Sequence, residues 1–409
     1  MREAIILAGG KGTRLQSVVT DVPKPMAKIQ DIPFLGYVLD WLIRQNIERV
    51  ILSVGYKADV IINYFGDSYK NIELVYAKEG VALGTGGGLR YALTFAQTEN
   101  VLVLNGDTFF DINIQKLNFL HQNSEALVSF ALHKIYNTGR YGGIEVDEHC
   151  KVQDFTSKNN IGKQWINGGI YIVNKNKYIE LTTDGAFSLE DDFFQPKSNQ
   201  IKLVGCPYVE SYFIDIGIPE DYVKAQVEIP ARFLIETAKL NTLFLDRDGV
   251  INNKIENGYV TSWQDFTFKV GILEWLKVAA KSFENIILIT NQRCIGKGII
   301  SENELAVIHN RMLEAISESG GRIDKIYYCP DLNEDSPDRK PNTGMFLQAK
   351  FDIPTIDFKR SIMIGDSITD LIPAKELGMK TVFISNNKIL SLHILELADS
   401  IFDSQILDV

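Results

Sequence analysis

The sequence predicts an α/β protein made of two doubly wound domains, each with helices on both faces of a mostly parallel sheet. Three observations support this fold class. The chain has 409 residues, which is more than one compact core usually holds. Short β-branched apolar runs alternate with segments of helical spacing, as in parallel sheets with crossover helices. This alternation occurs in two separate series along the chain.

The first series lies in the N-terminal half. Its strands are predicted at 3–7, 49–54 and 101–105, and its helices at 34–45 and 86–97. After residue 126 the pattern changes to short strand-like pieces separated by turns, such as ALVSFAL and INGGIYIV. We therefore expect a Rossmann-like parallel sheet with a mixed region appended to it.

The second series begins at residue 242. Its strands are predicted at 242–246, 285–290, 325–329, 361–365 and 380–384, with helices between them. The segment 229–240 contains Pro230 and has no strong strand signal, so we place the join between the domains there. The predicted boundaries are 1–228 for the first domain, 229–240 for a linker and 241–409 for the second domain.

The composition argues against several classes of function. A formal net charge of −10 does not suit nonspecific nucleic-acid binding, which requires a basic surface. No stretch approaches the roughly 18 apolar residues of a membrane span, and the N-terminus lacks the layout of a signal peptide. The four cysteines are scattered, which suits a reducing cytoplasm. We expect a cytoplasmic protein with small-molecule partners, and leave open whether it forms homo-oligomers.

A glycine-rich loop, LAGGKGTRL, follows the first predicted strand. Gly9, Gly10 and Gly12 would let the backbone approach a polyphosphate and direct its N–H groups at the oxygens. Arg14 adds a planar charged group and Lys24 a point charge. The alternative is a tight turn with surface bases. The phosphate interpretation is favoured because further acidic and basic candidates follow in order.

Two carboxylates stand at the ends of later apolar runs. Asp107 ends VLVLNGD and Asp215 ends YFID. Carboxylates at the carboxyl ends of parallel strands lie where open α/β sheets bind ligands. Together they could hold Mg²⁺, which prefers oxygen ligands. For either residue alone, a turn or a helix cap is an equal alternative.

Residues 2–227 resemble the sugar-1-phosphate nucleotidyltransferases. The strongest portion is AIILAGGKGTRLQSVVTDVPKPMAKI, and SVGYKADVIINYFG, LGTGGGLRYAL and NGDTF follow in the family's order. The details are most similar to the heptose-1-phosphate guanylyltransferase branch, near the mannose-1-phosphate guanylyltransferases. The resemblance implies in-line attack by a sugar-phosphate oxygen on the α-phosphorus of a nucleoside triphosphate, with release of pyrophosphate.

The resemblance also implies roles for residues at matching positions. Those expected to hold the nucleoside triphosphate are Leu7, Gly9, Gly10, Gly12, Thr13, Arg14, Lys24, Gly84, Thr85, Gly86, Gly87 and Asp107, with Arg14 and Lys24 also expected to be catalytic. Mg²⁺ would be held by Asp107 and Asp215. Those expected to contact the sugar phosphate are Lys158, Asn167, Gly168, Gly169 and Glu190. The family often has Glu before that lysine, whereas this chain has Ser157, which leaves one sugar contact in doubt.

The stretch LFLDRDGV opens the second domain with a pair of acids. Asp246 and Asp248 could face one pocket at the end of a strand, as a nucleophile and a general acid must. The alternative is an acidic turn. Three later segments favour catalysis: LITNQ ends a strand in Thr290, DRKPNTGMF supplies Lys340, and SIMIGDSITDL ends a strand in Asp366.

This order of motifs, over residues 241–390, resembles the haloacid dehalogenase superfamily of phosphatases. The resemblance implies that Asp246 attacks phosphorus, while Asp248 protonates the leaving alcohol and then activates water. Mg²⁺ would be held by Asp246, the backbone carbonyl of Asp248, and Asp366. The residues expected to contact the substrate are Thr290, Asn291, Arg293, Lys297 and Lys340. Arg293 and Lys297 would grip its second phosphate, and solvated loop bases are an equal alternative for these two. Asp370 would either orient Lys340 or its loop, or cap a helix.

Within that superfamily, DRDGVIN, GYV, TNQ and RKPNTGMF resemble heptose bisphosphate and histidinol phosphate phosphatases. The short distance between the acidic pair and the threonine predicts a minimal cap. Relatives often bind zinc through three cysteines and a histidine. Here Cys329 remains, but Asp331, Ser336 and Asp338 stand where other ligands would be expected. A lone thiolate with oxygen ligands is a poor zinc site, so we expect no zinc and interpret Cys329 as a buried strand-end residue.

Together the two resemblances imply a bifunctional enzyme with Mg²⁺ at both sites. It would remove the 7-phosphate of D-glycero-D-manno-heptose 1,7-bisphosphate and transfer a nucleotidyl group, GMP from GTP, to heptose 1-phosphate. One alternative is a mannose-1-phosphate guanylyltransferase fused to a sugar-phosphate or histidinol-phosphate phosphatase. A second alternative is a non-catalytic regulatory protein.

Overall fold

A computed structural model describes most of the chain. The described residues are 1–10, 15, 21–137, 141–156, 161–209, 211–235, 241–385 and 390–403. The chain divides into two compact units, Met1–Thr237 with Ile389–Glu396, and Ala238–Lys388 with Leu397–Val409. The first part of the predicted linker continues a helix as far as Ile235. The boundaries at 228 and 241 stay a prediction.

The first unit contains fourteen of the strands in the described residues. They are β1 (Glu3–Leu7), β2 (Lys28–Ile29), β3 (Ile32–Pro33), β4 (Arg49–Val54), β5 (Ser68–Tyr69), β6 (Ile72–Lys78), β7 (Asn100–Asn105), β8 (Thr108–Phe110), β9 (Val128–Asn137), β10 (Gly143–Val146), β11 (Val152–Thr156), β12 (Ile161–Asn174), β13 (Leu203–Tyr208) and β14 (Phe213–Asp215). Its helices are α1 (Phe34–Arg44), α2 (Ala58–Phe65), α3 (Gly84–Leu93), α4 (Ile114–Ser124), α5 (Lys175–Leu181), α6 (Gln195–Lys197) and α7 (Pro219–Ile235), with a π-helix at Leu189–Phe194.

The main sheet of the first unit has the order β11-β10-β12-β7-β1-β4-β6-β5, and β9 and β13 extend it from β12. Strands β7, β1, β4 and β6 are parallel, as the alternating pattern predicted. Leu7 pairs with Ser53 on one side and Asn105 on the other, so these strands end at the same edge. The segments that follow β1, β4 and β7 therefore meet at one edge, where α/β sheets bind ligands.

The second unit is a smaller α/β domain. Its strands are β15 (Thr242–Leu245), β16 (Asn285–Asn291), β17 (Lys325–Cys329), β18 (Ile362–Gly365), β19 (Lys380–Ser385) and β20 (Ser400–Asp403). Its helices are α8 (Ile272–Ser282), α9 (Arg293–Gly296), α10 (Glu302–Glu318), α11 (Gly344–Asp352) and α12 (Ile368–Glu376), and α13 (Leu392–Leu397) belongs to the first unit as far as Glu396.

The sheet of the second unit is entirely parallel within the described residues, with the order β17-β16-β15-β18-β19-β20. All four side chains of β15 are buried, because helices cover both faces of a parallel sheet. Leu245 pairs with Leu288 and Ile364, which places the ends of β15, β16 and β18 side by side. The predicted α/β fold class is confirmed in both units.

The segment between β15 and β16 bears on access to this edge. It contains helix α8 and a short 3₁₀ turn, Trp263–Asp265, which is consistent with the predicted minimal cap. Of the helices in the described part of the chain, none has the length and apolar character needed to cross a membrane. All four cysteines are buried and unpaired.

Candidate active sites

The first candidate site combines one lysine and two carboxylates of the first unit. Lys24 Nζ donates to Asp107 Oδ2 at 2.9 Å, and both side chains are at least partly shielded from solvent. Strand β14 pairs antiparallel with β8, and Ile216 N donates to the backbone oxygen of Asp107 at 3.0 Å. This pairing brings Asp215 beside Asp107. A Cβ atom added at Gly217 would lie 2.7 Å from Asp215 Oδ1 and 3.2 Å from Lys24 Nζ, so glycine allows the three charged groups to converge.

The glycine-rich loop begins at the same edge of the sheet. A Cβ atom at Gly10 would meet no atom of the described residues within 4 Å. A Cβ atom at Gly9 would lie 2.9 Å from Glu79 Oε1. Leu7 precedes the loop at the end of β1. Gly12, Thr13 and Arg14 lie outside the described residues, so their predicted nucleotide contacts stay a prediction.

Glu79 is a polar group of this site that the sequence reasoning missed. Its carboxylate accepts hydrogen bonds from Leu83 N at 3.0 Å and from Ser53 Oγ at 3.2 Å. It also lies against Gly9 and Gly88, where a Cβ atom would come within 3 Å of it. The residue directly follows β6, so its position at the end of a parallel strand was a signal that could have found it.

The glycines of LGTGGG have a packing role that the sequence did not indicate. A Cβ atom at Gly86 would lie 2.2 Å from the Phe187 ring, and Gly84 has a φ of +68° beside the same residue. A Cβ atom at Gly87 would lie 2.1 Å from the oxygen of Gly185. Thr85 Oγ1 accepts a hydrogen bond from Leu189 N at 2.9 Å. These residues therefore fix the segment that leads to Glu190, and their contacts with the nucleoside triphosphate stay a prediction.

The predicted sugar pocket is organised around Asn167. Its Nδ2 donates to Glu190 Oε1 and to the Tyr171 hydroxyl, both at 2.6 Å, and its Oδ1 accepts from Gly169 N at 2.9 Å. A bulge between Asn167 and Tyr171 interrupts the pairing of β12 with β9. Gly169, with a φ of +74°, lets this bulge approach Asn105. The structure thus brings together Asn167, Gly169 and Glu190.

Other residues of this pocket differ in how they are placed. A Cβ atom at Gly168 would lie 2.3 Å from the Phe110 ring, so this glycine serves packing. Lys158 and Ser157 lie outside the described residues.

Tyr171 and Tyr141 were missed by the sequence reasoning. Burial raises the pKa of the Tyr171 phenol, so it stays protonated and able to donate. The Tyr141 hydroxyl donates to Asp215 Oδ2 at 3.4 Å. Neither tyrosine stands in a sequence pattern that marks a polar partner.

The second candidate site is centred on the buried ammonium of Lys340. Its Nζ donates to Asp246 Oδ1 at 2.7 Å, to Asp370 Oδ1 at 2.5 Å and to the backbone oxygen of Ile289 at 2.8 Å. Asn291 fixes the lysine's backbone, since its Nδ2 donates to Lys340 O at 3.0 Å and its Oδ1 accepts from Lys340 N at 3.1 Å. The Lys340 side chain thus connects the ends of β15 and β16 with the start of α12.

Three carboxylates of this site could share a cation. One oxygen each of Asp246, Asp366 and Asp370 lie within 4.8 Å of one another. Lys254 Nζ donates to Asp366 Oδ2 at 2.8 Å. Gly249 has a φ of +95°, and a Cβ atom there would lie 2.2 Å from Asp366 Oδ2, so glycine is required for this approach. A set of carboxylate oxygens, two from buried residues and one from a partly exposed residue, suits a hard divalent cation.

The electrostatics of the cluster show that negative charge is in excess. Burial raises the pKa of Asp246 to about 6, and nearby Asp370 and Asp248 add to the shift against the opposing charge of Lys340. Burial and Asp246 likewise raise the pKa of Asp366. Asp246 and Asp370 together raise the pKa of Lys340 despite its burial. The two ammonium groups, those of Lys340 and Lys254, therefore do not fully neutralise the three clustered carboxylates, and a divalent cation would favour the ionised forms of these acids.

Asp370 combines the two roles that the sequence left open. Its Oδ1 accepts from Lys340, while its Oδ2 accepts from Ser367 N at 3.1 Å in the capping box that begins α12. A Cβ atom at Gly365 would lie 2.3 Å from Asp370 Cβ, so the helix can begin this close to β18 only after glycine. The same residue caps a helix and holds the lysine.

Asp248 has a different environment from Asp246. Asn252 Nδ2 donates to its Oδ1 at 3.0 Å, and Gln292 Nε2 donates to its Oδ2 at 3.1 Å. Burial alone would raise the pKa of this carboxyl, but Arg247 and these hydrogen bonds lower it overall. The pKa values of the two acids of DRDG are thus shifted in opposite directions, and the catalytic roles of these residues stay a prediction.

The remaining predicted substrate contacts are distributed around this edge. Thr290 is buried and its Oγ1 accepts from Gln292 Nε2 at 2.9 Å. Arg293 begins α9, and its buried Nε has no hydrogen-bond partner within the described structure. Lys297 Nζ lies 5.2 Å from the ring centroid of Tyr259. The predicted grip of Arg293 and Lys297 on a second phosphate stays a prediction.

The loop after β17, for which the sequence predicts no zinc, is held by hydrogen bonds. Cys329 is buried at the end of β17, and burial raises the pKa of its thiol. Ser336 Oγ donates to Asp331 Oδ2 at 2.5 Å, and Arg339 Nη1 donates to Leu332 O at 2.5 Å. A protonated thiol is a weak metal ligand, and the absence of zinc stays a prediction.

Comparison with known protein families assigns the two units separately. Residues 3–232 match the family model described as nucleotidyl transferase. Residues 338–396 match the family model described as HAD-hydrolase-like. These regions contain the Lys24–Asp107–Asp215 group and the Lys340–Asp366–Asp370 group respectively.

Individual relatives match each half over most of their own length. A D-glycero-α-D-manno-heptose 1-phosphate guanylyltransferase from Campylobacter jejuni is 43% identical over 220 residues, covering 54% of this chain and 96% of that protein. A D-glycero-α-D-manno-heptose-1,7-bisphosphate 7-phosphatase from the same organism is 37% identical over 150 residues, covering 37% of this chain and 85% of that protein. The crystal structure of HddC from Yersinia pseudotuberculosis, 36% identical, covers 55% of this chain and 98% of its own with a TM-score of 0.50.

The carboxylate cluster of the second unit predicts a divalent cation site. Replacing Asp366 by Asn removes one of three clustered carboxylates. Loss of a residue that only hydrogen-bonds to a metal ligand typically lowers metal affinity at least about tenfold, so loss of a ligand itself should lower the affinity for Mg²⁺ by more than that. Isothermal titration calorimetry without nucleotide measures this affinity. The protein also carries Asp107→Asn and Asp215→Asn, so that the first unit does not contribute to Mg²⁺ binding.

Asp352→Asn is the matched control for this titration. Asp352 accepts hydrogen bonds from Lys325 and Tyr327 and lies outside the cluster. Its replacement should leave the affinity for Mg²⁺ unchanged. Equal Mg²⁺ binding by the Asp366→Asn and Asp352→Asn proteins would contradict the assignment.

Proposed function

The chain belongs to the nucleotidyl transferase family over residues 3–232 and to the HAD-hydrolase-like family in its second half, and we propose that it performs two consecutive steps of nucleotide-activated heptose synthesis. The second unit removes the 7-phosphate of D-glycero-D-manno-heptose 1,7-bisphosphate. The first unit transfers GMP from GTP to the resulting heptose 1-phosphate. The product of one reaction is then the substrate of the other.

One observation carries this proposal. Each unit places a lysine and clustered carboxylates at the carboxyl edge of its parallel strands, and each matches a heptose-phosphate enzyme over nearly all of that enzyme's length. Two matches to enzymes acting on related sugar phosphates favour heptose over the mannose alternative. Intact charged groups in both sites favour catalysis over a purely regulatory role.

In the second unit, Asp246 is proposed as the nucleophile. One of its oxygens is fixed by Lys340, which leaves the other to attack the phosphorus of the 7-phosphate. The bond from phosphorus to the sugar oxygen breaks, and Asp248 gives its proton to that oxygen. Water then attacks the aspartyl phosphate, Asp248 takes a proton from it, and phosphate leaves with Asp246 regenerated.

The pKa shifts of the resting structure favour the second step over the first, since the pKa of Asp248 is lowered and that of Asp246 is raised. Asp248, with its pKa lowered, is ionised in the resting structure and suited to take a proton from water. It becomes an acid only when the substrate brings negative charge beside it. Mg²⁺ held by Asp246 and Asp366, together with the backbone carbonyl of Asp248, would supply positive charge that keeps Asp246 ionised and offsets the charge of the phosphate.

In the first unit, no protein nucleophile is needed. The 1-phosphate oxygen of the sugar attacks the α-phosphorus of GTP, the bond to the β-phosphate breaks, and pyrophosphate leaves. Lys24 is proposed to neutralise phosphate charge, and Asp107 with Asp215 to hold Mg²⁺. Asn167 and Glu190 would orient the sugar hydroxyls through the hydrogen-bond pair that they already form. Catalysis is then alignment and charge neutralisation.

We also propose that the enzyme works in the cytoplasm. The four buried, unpaired cysteines suit a reducing compartment. Both proposed substrates are phosphorylated small molecules, and neither step requires a protein or nucleic-acid partner.

The proposed pathway is tested by incubation with heptose 1,7-bisphosphate, Mg²⁺ and each nucleoside triphosphate in turn. Mass detection should find inorganic phosphate in every reaction and GDP-heptose with pyrophosphate only when GTP is supplied. Parallel reactions with mannose 1-phosphate and histidinol phosphate test the alternatives. Faster turnover of those two compounds, or no turnover of any sugar phosphate, would overturn the proposal.

Separate sites predict separable activities. Asp246→Asn should lower phosphate release by at least about 10³-fold because the amide is a poor nucleophile, yet leave GMP transfer near wild type. Asp107→Asn should lower GMP transfer by about 10²-fold or more by weakening charge neutralisation, while phosphate release is retained.

Exposed carboxylates provide controls for both substitutions. Asp59→Asn in the first unit and Asp352→Asn in the second remove carboxylates outside the proposed sites. Each activity is assayed with its own substrate, so that one step does not limit the other. Loss of both activities in a folded single variant would show that the sites are not independent.

A further inference from the structure

The mechanism proposed above does not use Arg247, although this residue is only 1% exposed at the centre of the second site. Its Nη2 donates to Asp248 Oδ2 at 2.9 Å and to Oδ1 at 3.1 Å, and its Nε donates to Oδ2 at 3.2 Å. A buried guanidinium is costly unless its donors are satisfied. Arg247 therefore uses Nε and Nη2 to bind the Asp248 carboxylate, and its remaining nitrogen, Nη1, needs another acceptor.

That acceptor is His309 on helix α10. Arg247 Nη1 lies 3.2 Å from His309 Nε2. Arginine can only donate, so Nε2 of the imidazole accepts and its proton is on Nδ1. Burial, together with the charge of Arg247, lowers the pKa of His309 to about 4, which keeps the ring neutral and able to accept. The histidine thus fixes the plane of the guanidinium from the side opposite Asp248.

The other partners of Asp248 are also buried. Asn252 and Gln292 each donate one hydrogen bond to it and are at most 2% exposed. Gln292 also donates to Thr290 Oγ1, which links the proposed proton-transfer group to a proposed phosphate contact. The Asp248 carboxylate is held from several directions, and Arg247 provides three of its contacts.

We propose that His309 is a positioning residue for phosphoryl transfer: it anchors Arg247, and the anchored Arg247 orients the Asp248 carboxylate toward the leaving oxygen and the attacking water. This inference rests on the proposed phosphatase function. His309 itself touches no reacting atom. Its effect should therefore appear in the steps that move a proton through Asp248.

Two replacements of His309 separate orientation from packing. His309→Gln can place a side-chain oxygen where Nε2 accepts, whereas His309→Leu fills similar volume without an acceptor and leaves Arg247 Nη1 unpaired. General acid–base catalysis contributes about 10²–10⁴-fold. We expect His309→Leu to lower kcat for heptose bisphosphate at least about tenfold with little change in KM, and His309→Gln to restore most of it.

The leaving group provides a readout that a structural role would not change. Nitrophenolate leaves without protonation, so His309→Leu should still phosphorylate Asp246 with 4-nitrophenyl phosphate. Hydrolysis of the aspartyl phosphate still needs Asp248. Stopped-flow absorbance should therefore show a burst of about one nitrophenolate per chain, followed by slow turnover.

The controls use the same preparations. Asn310→Ala replaces the exposed neighbour of His309 on α10 and should behave as wild type. GMP transfer by the first unit reports the amount of intact chain. No burst in His309→Leu, equal loss with both substrates, or failure of His309→Gln to restore activity would overturn the inference. Wild-type protein that releases no phosphate from the bisphosphate would instead overturn the proposed function.

Discussion

The buried contact between Lys340 and Asp246 is the interaction on which the second site depends. Lys340 reaches Asp246, Asp370 and a backbone oxygen of β16 at once, so it fixes the position of the proposed nucleophile relative to two other elements. Lys340 and Lys254 supply two positive charges beside the three clustered carboxylates. Removing charges from water costs several kcal/mol per ion unless they are neutralised. Burial and the neighbouring carboxylates accordingly raise the pKa of Asp246, and a divalent cation would favour its ionised form.

The first unit also holds carboxylates close together beside a lysine, in a sheet of different topology. Lys24 pairs with Asp107, and an antiparallel strand pair brings Asp215 beside them. The Asp107 side chain is 34% exposed and that of Asp246 is 11% exposed. A more open site would leave room for a nucleoside triphosphate to supply further ligands for a cation. In both units glycines next to the acids permit the approach, at Gly217 and Gly249.

The sequence predicted the elements that carry the charged groups, because buried parallel strands are continuous apolar runs. The runs ending before Asp107 and Asp246 are examples. Contacts between distant segments could not be predicted from apolar runs. Arg247 lies within the acidic motif, but its partner His309 lies 62 positions away on an amphipathic helix, where its position is typical of a core residue. The Asn167–Tyr171 pair depends on a bulge that no local pattern marks. Gly84 and Gly86 resembled part of a ligand-binding loop in the sequence. Their packing against Phe187 could not be predicted, because a sequence does not show which atoms a Cβ atom would contact.

The most direct test of this account is chemical trapping of the phosphorylated enzyme. Protein mixed with heptose 1,7-bisphosphate and Mg²⁺ is quenched in acid and reduced with borohydride, which converts an aspartyl phosphate into homoserine. Peptide mass spectrometry should locate homoserine at Asp246, and the Asp246→Asn protein should carry none. Homoserine at Asp248, Asp366 or Asp370, or rapid phosphate release with no trapped residue, would contradict it.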